Sequence, residues 1–462
     1  MKTWMSAVAV AMIICQQAAG NLKGELDSIV GRSSQRSVSL SIEVIKADTG
    51  EVVYQHNAGM PLLPASNMKL VTTAAAIDTL GSDFQYATKV GFAGNTLVII
   101  GSGDPLLGDR ETDEKHGKAA CWVLDDIVKA VKASGKTAIN GIIVDTSIFD
   151  DVRVSPNWPT NQLNKWYEAE VSGLNFYTNC IEFIARNKGG TKAELSMQPS
   201  TSYVSVVNET TTISKGSDTV GLWRQPGSSE IFVKGKCRGE TEPMKVTIER
   251  PAAFMGSLVA ERLGQAGIRV EGPLLEKSVG TPDTIIATFS TPIADVLQRC
   301  NKDSLGLAAE CLLKTMGAKS SGGKGGSWAT GRAAMAKFLT SLGVGESEFK
   351  IDDGCGLSEE NRLSANALTK VLLHVYKTED WPMFKDSLAV GGEDGTAAKW
   401  FKEAKYKGKI IGKTGYIAGV KSFSGVCVTD KGDYLFSIIT NKANGGTRDA
   451  INDICKAIID SN

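Results

Sequence analysis

The sequence predicts a mixed α+β chain in which one layered domain, assembled from both chain ends, is split by a strand-rich insertion. Three observations carry this reading. A hairpin and a helix open the chain, and strands with a closing helix end it. Between about Phe84 and Ala287 the texture changes to short strands and many turns. The length, 462 residues, is two to three domains' worth of sequence. With 42% hydrophobic residues the chain can bury a large core, which excludes general disorder. Glycine, at 49 residues, is about 11% against a usual ~7%, which favours many turns over long helices.

The first twenty residues stand apart. Lys2 precedes an apolar run from Trp4 to Cys15, and Gln16-Gln17-Ala18-Ala19-Gly20 follows. A basic start, a short apolar run and a small-residue site predict a secretory signal peptide over residues 1–20, too short to span a bilayer. A buried N-terminal helix is the alternative. Cys15 is not read as a lipoprotein site, because Ile14 before it is bulky. No other stretch predicts a transmembrane anchor. Lys+Arg 51 and Asp+Glu 51 cancel, and loss of Lys2 leaves 50 against 51, so no basic excess points to nucleic acid. Nine cysteines become eight after cleavage, an even number in a disulfide-permissive compartment, with Cys180 and Cys237 as a candidate pair. No C-x-x-C spacing supports a zinc ribbon or a thioredoxin-like site. Most cysteines read as buried small hydrophobes.

Along the chain, Val38, Leu40, Ile42 and Val44 alternate with polar residues as in a half-buried strand. Ala47-Asp48-Thr49-Gly50 turns it into a second arm at Val52-Val53-Tyr54. Leu70, Ala74, Ile77 and Leu80 recur at helical spacing, with Gly81 as the terminating cap. The insertion shows strands at residues 96–100, 142–144, 203–207 and 231–233, and helices near residues 120–133 and 255–266. Helices resume at 292–300 and 305–316. A Gly/Ser-rich loop covers 320–327, and a further helix runs from Trp328 to Leu342. Strands at 422–428 and 434–440, then a helix carrying Ile451, Ile454 and Ile458, close the chain.

Chemistry is limited first by histidine. Only His56, His116 and His374 exist, none in a metal-spaced cluster, and no G-x-S-x-G elbow is present. Ser66-Asn67-Met68-Lys69 offers another base. Residues i and i+3 share a helix face, so the Ser66 hydroxyl and the Lys69 amine can meet. Lysine serves as a base once burial or nearby cations lower its pKa, and helix N-terminal N–H groups favour an oxyanion. The same spacing recurs at Ser321…Lys324 and Ser347…Lys350, and Ser66 could simply cap its helix. Context separates it, since it follows Pro64 and opens an apolar helix. Lys413-Thr414-Gly415, at a strand beginning, could bind a carboxylate while its edge strand pairs with an extended peptide; the plain alternative is a glycine turn with a solvated lysine. Asn301-Lys302-Asp303-Ser304 lies at a helix start, where Ser304 could be an N-cap.

In this order the three elements resemble the S-x-x-K, S-D-N and K-T-G set of the serine penicillin-recognising peptidases. The fuller match is to the D-alanyl-D-alanine carboxypeptidase/endopeptidase family of the penicillin-binding protein 4 type. Supporting stretches are Gly103-Asp104-Pro105, Val171-Ser172-Gly173-Leu174-Asn175-Phe176, Asp353-Gly354-Cys355-Gly356-Leu357-Ser358 and Asp394-Gly395-Thr396. The resemblance implies a β-lactamase/transpeptidase-like domain, an antiparallel sheet flanked by helices, formed by residues 21–84 and 288–462. Residues 85–287 would be the inserted domain.

By position, the resemblance implies that Ser66 attacks the D-Ala–D-Ala carbonyl and Lys69 accepts its proton. Ser304 with Lys413 would relay a proton to the departing D-alanine. Lys413, Thr414 and Gly415 would hold the substrate, and the N–H groups of Ser66 and Tyr416 would form the oxyanion hole. It further implies peptidoglycan stem peptides as substrate, β-lactams as inhibitors, no cofactor or metal, and a periplasmic or envelope location. The chain departs from the pattern at Gly306, where the second motif carries an Asn that bonds the lysine and the substrate. Ser364-Ala365-Asn366 has the missing letters, but its setting before an apolar helix fits an N-cap. Glu359 and Ala418 stand where diaminopimelate-recognising relatives carry Arg and Gln, so the side-chain preference stays open. Asp145 resembles an insertion residue that reaches the pocket in relatives. A catalytically weakened wall-binding protein, or a β-lactamase or esterase on the same scaffold, are the alternatives.

Overall fold

The computed structural model describes residues 22–462, so the expected signal peptide lies outside the described residues. The chain forms two compact units. One takes the described residues up to Ser82, Leu297–Leu305 and Arg332–Asn462; the other takes Asp83–Val296 and Gly306–Gly331.

The first unit is built on a six-stranded antiparallel sheet. Its order is Ala389–Val390, Ile410–Ile417, Val420–Thr429, Gly432–Asn441, Ser39–Lys46, Val52–His56. The two chain ends therefore meet in one sheet, with Ser39–Lys46 paired along its full length to Gly432–Asn441. Period-2 alternation sends Leu40, Ile42 and Val44 to one face, where they join Leu26, Phe436, Ile451, Ile454 and Ile458 in one apolar cluster. The helices of residues 22–30 and Thr447–Asp460 supply the other side of that cluster.

The expected half-buried first strand is instead buried on both faces. Its polar residues meet the helix Ala365–Tyr376, where Ser41 Oγ accepts from Ala365 N at 3.1 Å and Glu43 accepts from the Thr369 hydroxyl. Polar alternation here marks a second interface with paired groups, not solvent. The helix Met68–Leu80 differs likewise from a one-sided amphipathic helix. Every residue from Met68 to Ile77 is buried, and the small side chains of Thr72-Thr73-Ala74-Ala75-Ala76 suit a helix enclosed all round. Gly81 ends it at φ 97°, its N–H donating to the Ile77 carbonyl at 2.9 Å.

The second unit centres on a five-stranded sheet, ordered Leu274–Glu276, Ile142–Asp145, Thr96–Ile100, Gln85–Ala93, Thr284–Pro292. The helices Trp122–Ala133 and Pro251–Gln265 pack Leu124, Ile127, Phe254 and Leu258 into its core. The strand expected at 203–207 runs instead over Ser205–Thr212. Inside the helix Gly306–Ser320, Lys314 is buried; its Nζ donates to Asp150 Oδ1 at 2.7 Å and lies 3.8 Å from the centre of the Trp328 ring.

All eight described cysteines are buried and none is bridged to another, so Cys180 and Cys237 do not pair. They sit in different sheets, on strands Cys180–Arg186 and Glu230–Cys237. Asp145 does not offer a free carboxylate either: its two oxygens accept the N–H groups of Ser147 and Val279, both at 2.8 Å, which fixes the loop after its strand.

Candidate active site

Ser66 does not cap a helix. It lies in a 3-10 turn, Ala65–Asn67, that runs directly into the helix Met68–Leu80, and no side chain caps either start. Ala65 enters the turn at φ 47°, a left-handed conformation disfavoured for a residue with a Cβ. Neighbours hold the turn in place. Ser422 Oγ donates to the Pro64 carbonyl at 2.6 Å, and Asn67 Nδ2 donates to Ser424 Oγ at 2.7 Å. Two glycines close on it. A Cβ at Gly356, at φ 82°, would stand 1.8 Å from the Ala65 carbonyl oxygen, and one at Gly415 would stand 2.8 Å from that of Pro64 and 3.1 Å from Ser66 N.

One helical turn on, Lys69 is buried, and its Nζ lies 3.2 Å from Ser66 Oγ. The same Nζ donates to the Cys355 carbonyl at 2.7 Å. Thus the pair expected from i, i+3 spacing is formed, together with an acceptor to which sequence reasoning assigned no role.

Lys413 lies in the middle of Ile410–Ile417, not at its beginning, and is fully buried rather than solvated. Its Nζ donates to Ser304 Oγ at 3.0 Å and to the Thr414 carbonyl at 2.9 Å. Burial, and after it the positive charge of Lys69, lowers the Lys413 ammonium to about 7. Ser304 stands at φ 64° with its hydroxyl on this lysine, so its role as a plain helix cap is not what the structure shows. Ser66 thus pairs with Lys69 and Ser304 with Lys413, and the two pairs are near enough for the Lys69 charge to act on Lys413.

Thr414 Oγ1 donates to Thr396 Oγ1 at 2.8 Å. Thr396 is held in turn, its N–H on the Lys302 carbonyl at 3.1 Å, while Lys302 pairs with Asp394 at 2.6 Å. Tyr416, by contrast, is 70% exposed. The strand Ala389–Val390 pairs only with Gly412 and Ile411, so residues 413–417 keep an open edge on that side. An open edge next to buried cations can pair with an extended peptide that ends in a carboxylate.

Ser364 does not replace the second motif. It caps the helix Ala365–Tyr376, its oxygen accepting from Ala367 N at 2.9 Å, as its setting predicted. His116 pairs with Asp295 at 2.8 Å and His374 faces Asp78 at 3.6 Å, so neither joins the serine–lysine cluster. Sequence reasoning gave no role to Cys355, Asp353, Asn361 or Thr396. The signal was present in two glycine-containing polar stretches, but a backbone carbonyl acting as acceptor leaves no side-chain signature.

Residues 22–459 match the D-Ala-D-Ala carboxypeptidase 3 (S13) family. A D-alanyl-D-alanine carboxypeptidase of Actinomadura sp. is 28% identical over 460 residues, covering 94% of this chain and 83% of that protein. The D-alanyl-D-alanine carboxypeptidase DacB of Haemophilus influenzae is 22% identical, covering 83% and 81% respectively. In fold, the chain is similar to the crystal structure of penicillin binding protein 4 from Haemophilus influenzae, with a TM-score of 0.77 at 19% identity over 95% of this chain and 98% of that one.

Proposed function

The chain belongs to the D-Ala-D-Ala carboxypeptidase 3 (S13) family and is a serine-type D-Ala-D-Ala carboxypeptidase, and from that premise we propose how its own residues divide the reaction. The observation that carries the reading is the buried lysine one turn from a serine in a strained, clamped turn. Ser66 Oγ attacks the carbonyl carbon of the D-Ala–D-Ala bond as its proton passes to Lys69 Nζ. The N–H groups of Ser66 and Tyr416 hold the oxyanion. When the C–N bond breaks, Lys413 passes a proton through Ser304 to the departing amine, leaving an ester on Ser66. Water then adds its hydroxyl to the acyl carbon. Lys69 returns the first proton to Ser66 Oγ, and the water's remaining proton restores Lys413.

Lys413 and Thr414 receive the substrate's terminal carboxylate, and the open edge around Gly415 pairs with the peptide backbone. The substrates are peptidoglycan stem peptides in the periplasm or envelope, cut at the terminal residue and at D-Ala cross-links alike. The catalytic domain is read as residues 21–84 and 288–462 with 85–287 inserted; the compact units differ in taking 83–84, 288–296 and 306–331 into the second. The test is mass spectrometry on defined muropeptides and on penicillin-treated protein. The expected result is free D-alanine from a pentapeptide and a penicillin adduct on Ser66. Ser66→Ala should lose both while folding normally, because no cap bond is removed and the stability change stays within about 0.5 kcal/mol. A wild-type protein without the adduct would refute the reading. Gly306 favours a second reading, a penicillin-labelled wall-binding protein; labelling without D-alanine release would support it.

A further inference from the structure

Lys69 can act as a base in only one orientation. A neutral amine carries two N–H bonds and a single lone pair, and that lone pair must face the Ser66 hydroxyl. Something must therefore hold an N–H elsewhere. The family pattern gives that task to an asparagine, and Gly306 at that position has no side chain. The shorter of the two contacts made by Lys69 Nζ is to the Cys355 carbonyl, 2.7 Å against 3.2 Å to Ser66 Oγ.

Cys355 sits in a loop organised by one buried carboxylate. Asp353 Oδ1 accepts from Gly356 N at 2.7 Å and Asn361 Nδ2 at 2.8 Å; Oδ2 accepts from Ser358 N at 2.7 Å and Leu357 N at 3.1 Å. Asn361 Oδ1 accepts in return from Asp352 N at 2.8 Å and Asp353 N at 3.3 Å. With the Cys355 thiol, which donates to Oδ2 at 3.6 Å, these donors fix the peptide plane that carries the Cys355 oxygen. The loop is tied to the Lys69 helix a second time, because Thr72 Oγ1 donates to the Gly354 carbonyl at 2.7 Å. Lys69 and Thr72, three residues apart on one face, thus grip two successive carbonyls.

We propose that Asp353 is a positioning residue for acylation: it holds the Cys355 carbonyl on Lys69, so that the amine presents its lone pair to Ser66. The proposal rests on the reading above that Lys69 takes the Ser66 proton. Asp353→Asn keeps the side-chain size but turns one acceptor into a donor facing other donors. Thr72→Val is nearly isosteric and removes the second tie, along with the longer contacts of that hydroxyl to the Met68 carbonyl at 3.3 Å and Met335 Sδ at 3.7 Å.

The experiment measures penicillin acylation over a range of benzylpenicillin concentrations, which separates the noncovalent constant K from the acylation rate constant k2. Active sites are counted by the mass of the adduct. Asp353→Asn is expected to lower k2 by about a hundredfold with K little changed, since misorienting a base costs rate and not affinity. Thr72→Val is expected to lower k2 several-fold in the same direction. A folded Asp353→Asn protein with wild-type k2 overturns the proposal, as does a loss confined to K or to the labelled fraction. If Asp353→Asn does not fold, Thr72→Val decides, and an unchanged k2 overturns it. Absence of the Ser66 adduct in wild type is a separate result that removes the underlying reading.

Discussion

Binding of a peptide carboxylate is expected to draw a proton onto Lys413. In the free protein its ammonium is lowered to about 7, by burial first and the Lys69 charge second. At pH 8 only about a tenth of the molecules carry that charge. A carboxylate placed against the amine raises such a group by about two units, so the bound lysine is about nine-tenths charged. Binding at pH 8 then takes up about 0.8 proton, and at pH 6, where Lys413 is already charged, about 0.1. Calorimetric titration of Ser66→Ala with an acylated D-Ala-D-Ala peptide, in buffers of differing ionisation heat, reads this number directly. A peptide ending in an amide is the control and takes up almost none. Equal proton uptake at pH 6 and pH 8 for the free-acid peptide would refute the assignment of Lys413 as the carboxylate's partner.

Three further outcomes follow from the same coordinates. Lys413 falls from an ordinary 10.5 to about 7 on folding, so between these values the unfolded chain binds more protons and stability rises with pH. The gain is lost again as pH falls to 7. Its size is of the order of 5 kcal/mol as an upper bound, read as the difference between wild-type and Lys413→Met urea melts, and parallel pH profiles would count against it. Ser304→Gly relieves a φ of 64° but takes away the hydroxyl that accepts from buried Lys413, so the two effects, each about 1 kcal/mol, are expected to offset in urea melts while penicillin labelling slows. Lys314→Met removes a buried lysine from a half-exposed Asp150 and is expected to cost about 1 kcal/mol; a melt within 0.5 kcal/mol of wild type, about the spread of surface changes, would mean the pair contributes little.

The legible part of this chain was local. Helical spacing located Lys69 one turn from Ser66, and alternation located the strands at both chain ends. The ordered motifs then placed Ser304 and Lys413 in one site, although nothing in their own neighbourhoods says so. What escaped was context. The polar face of Ser39–Lys46 reads as solvent-exposed because a sequence does not show which helix will cover it. A solvated lysine stayed open as the alternative for Lys413 for the same reason, yet it is buried, and that burial lowers its charge. Cysteine parity suggested bridges, but even numbers carry no geometry, and none of the eight described cysteines is bridged to another. The Cys355 carbonyl was invisible because any residue has one; only the folded loop aims it.

The two glycines that flank the Ala65–Ser66 turn limit which substitutions this backbone can take. Adding even one methyl at Gly356 would drive it into the Ala65 carbonyl, and at Gly415 into Ser422 Oγ at 2.1 Å as well as against Ser66 N at 3.1 Å. Neither position therefore accepts even the smallest side chain without moving the turn. Substitution meets less crowding at the rim, where Tyr416 is 70% exposed.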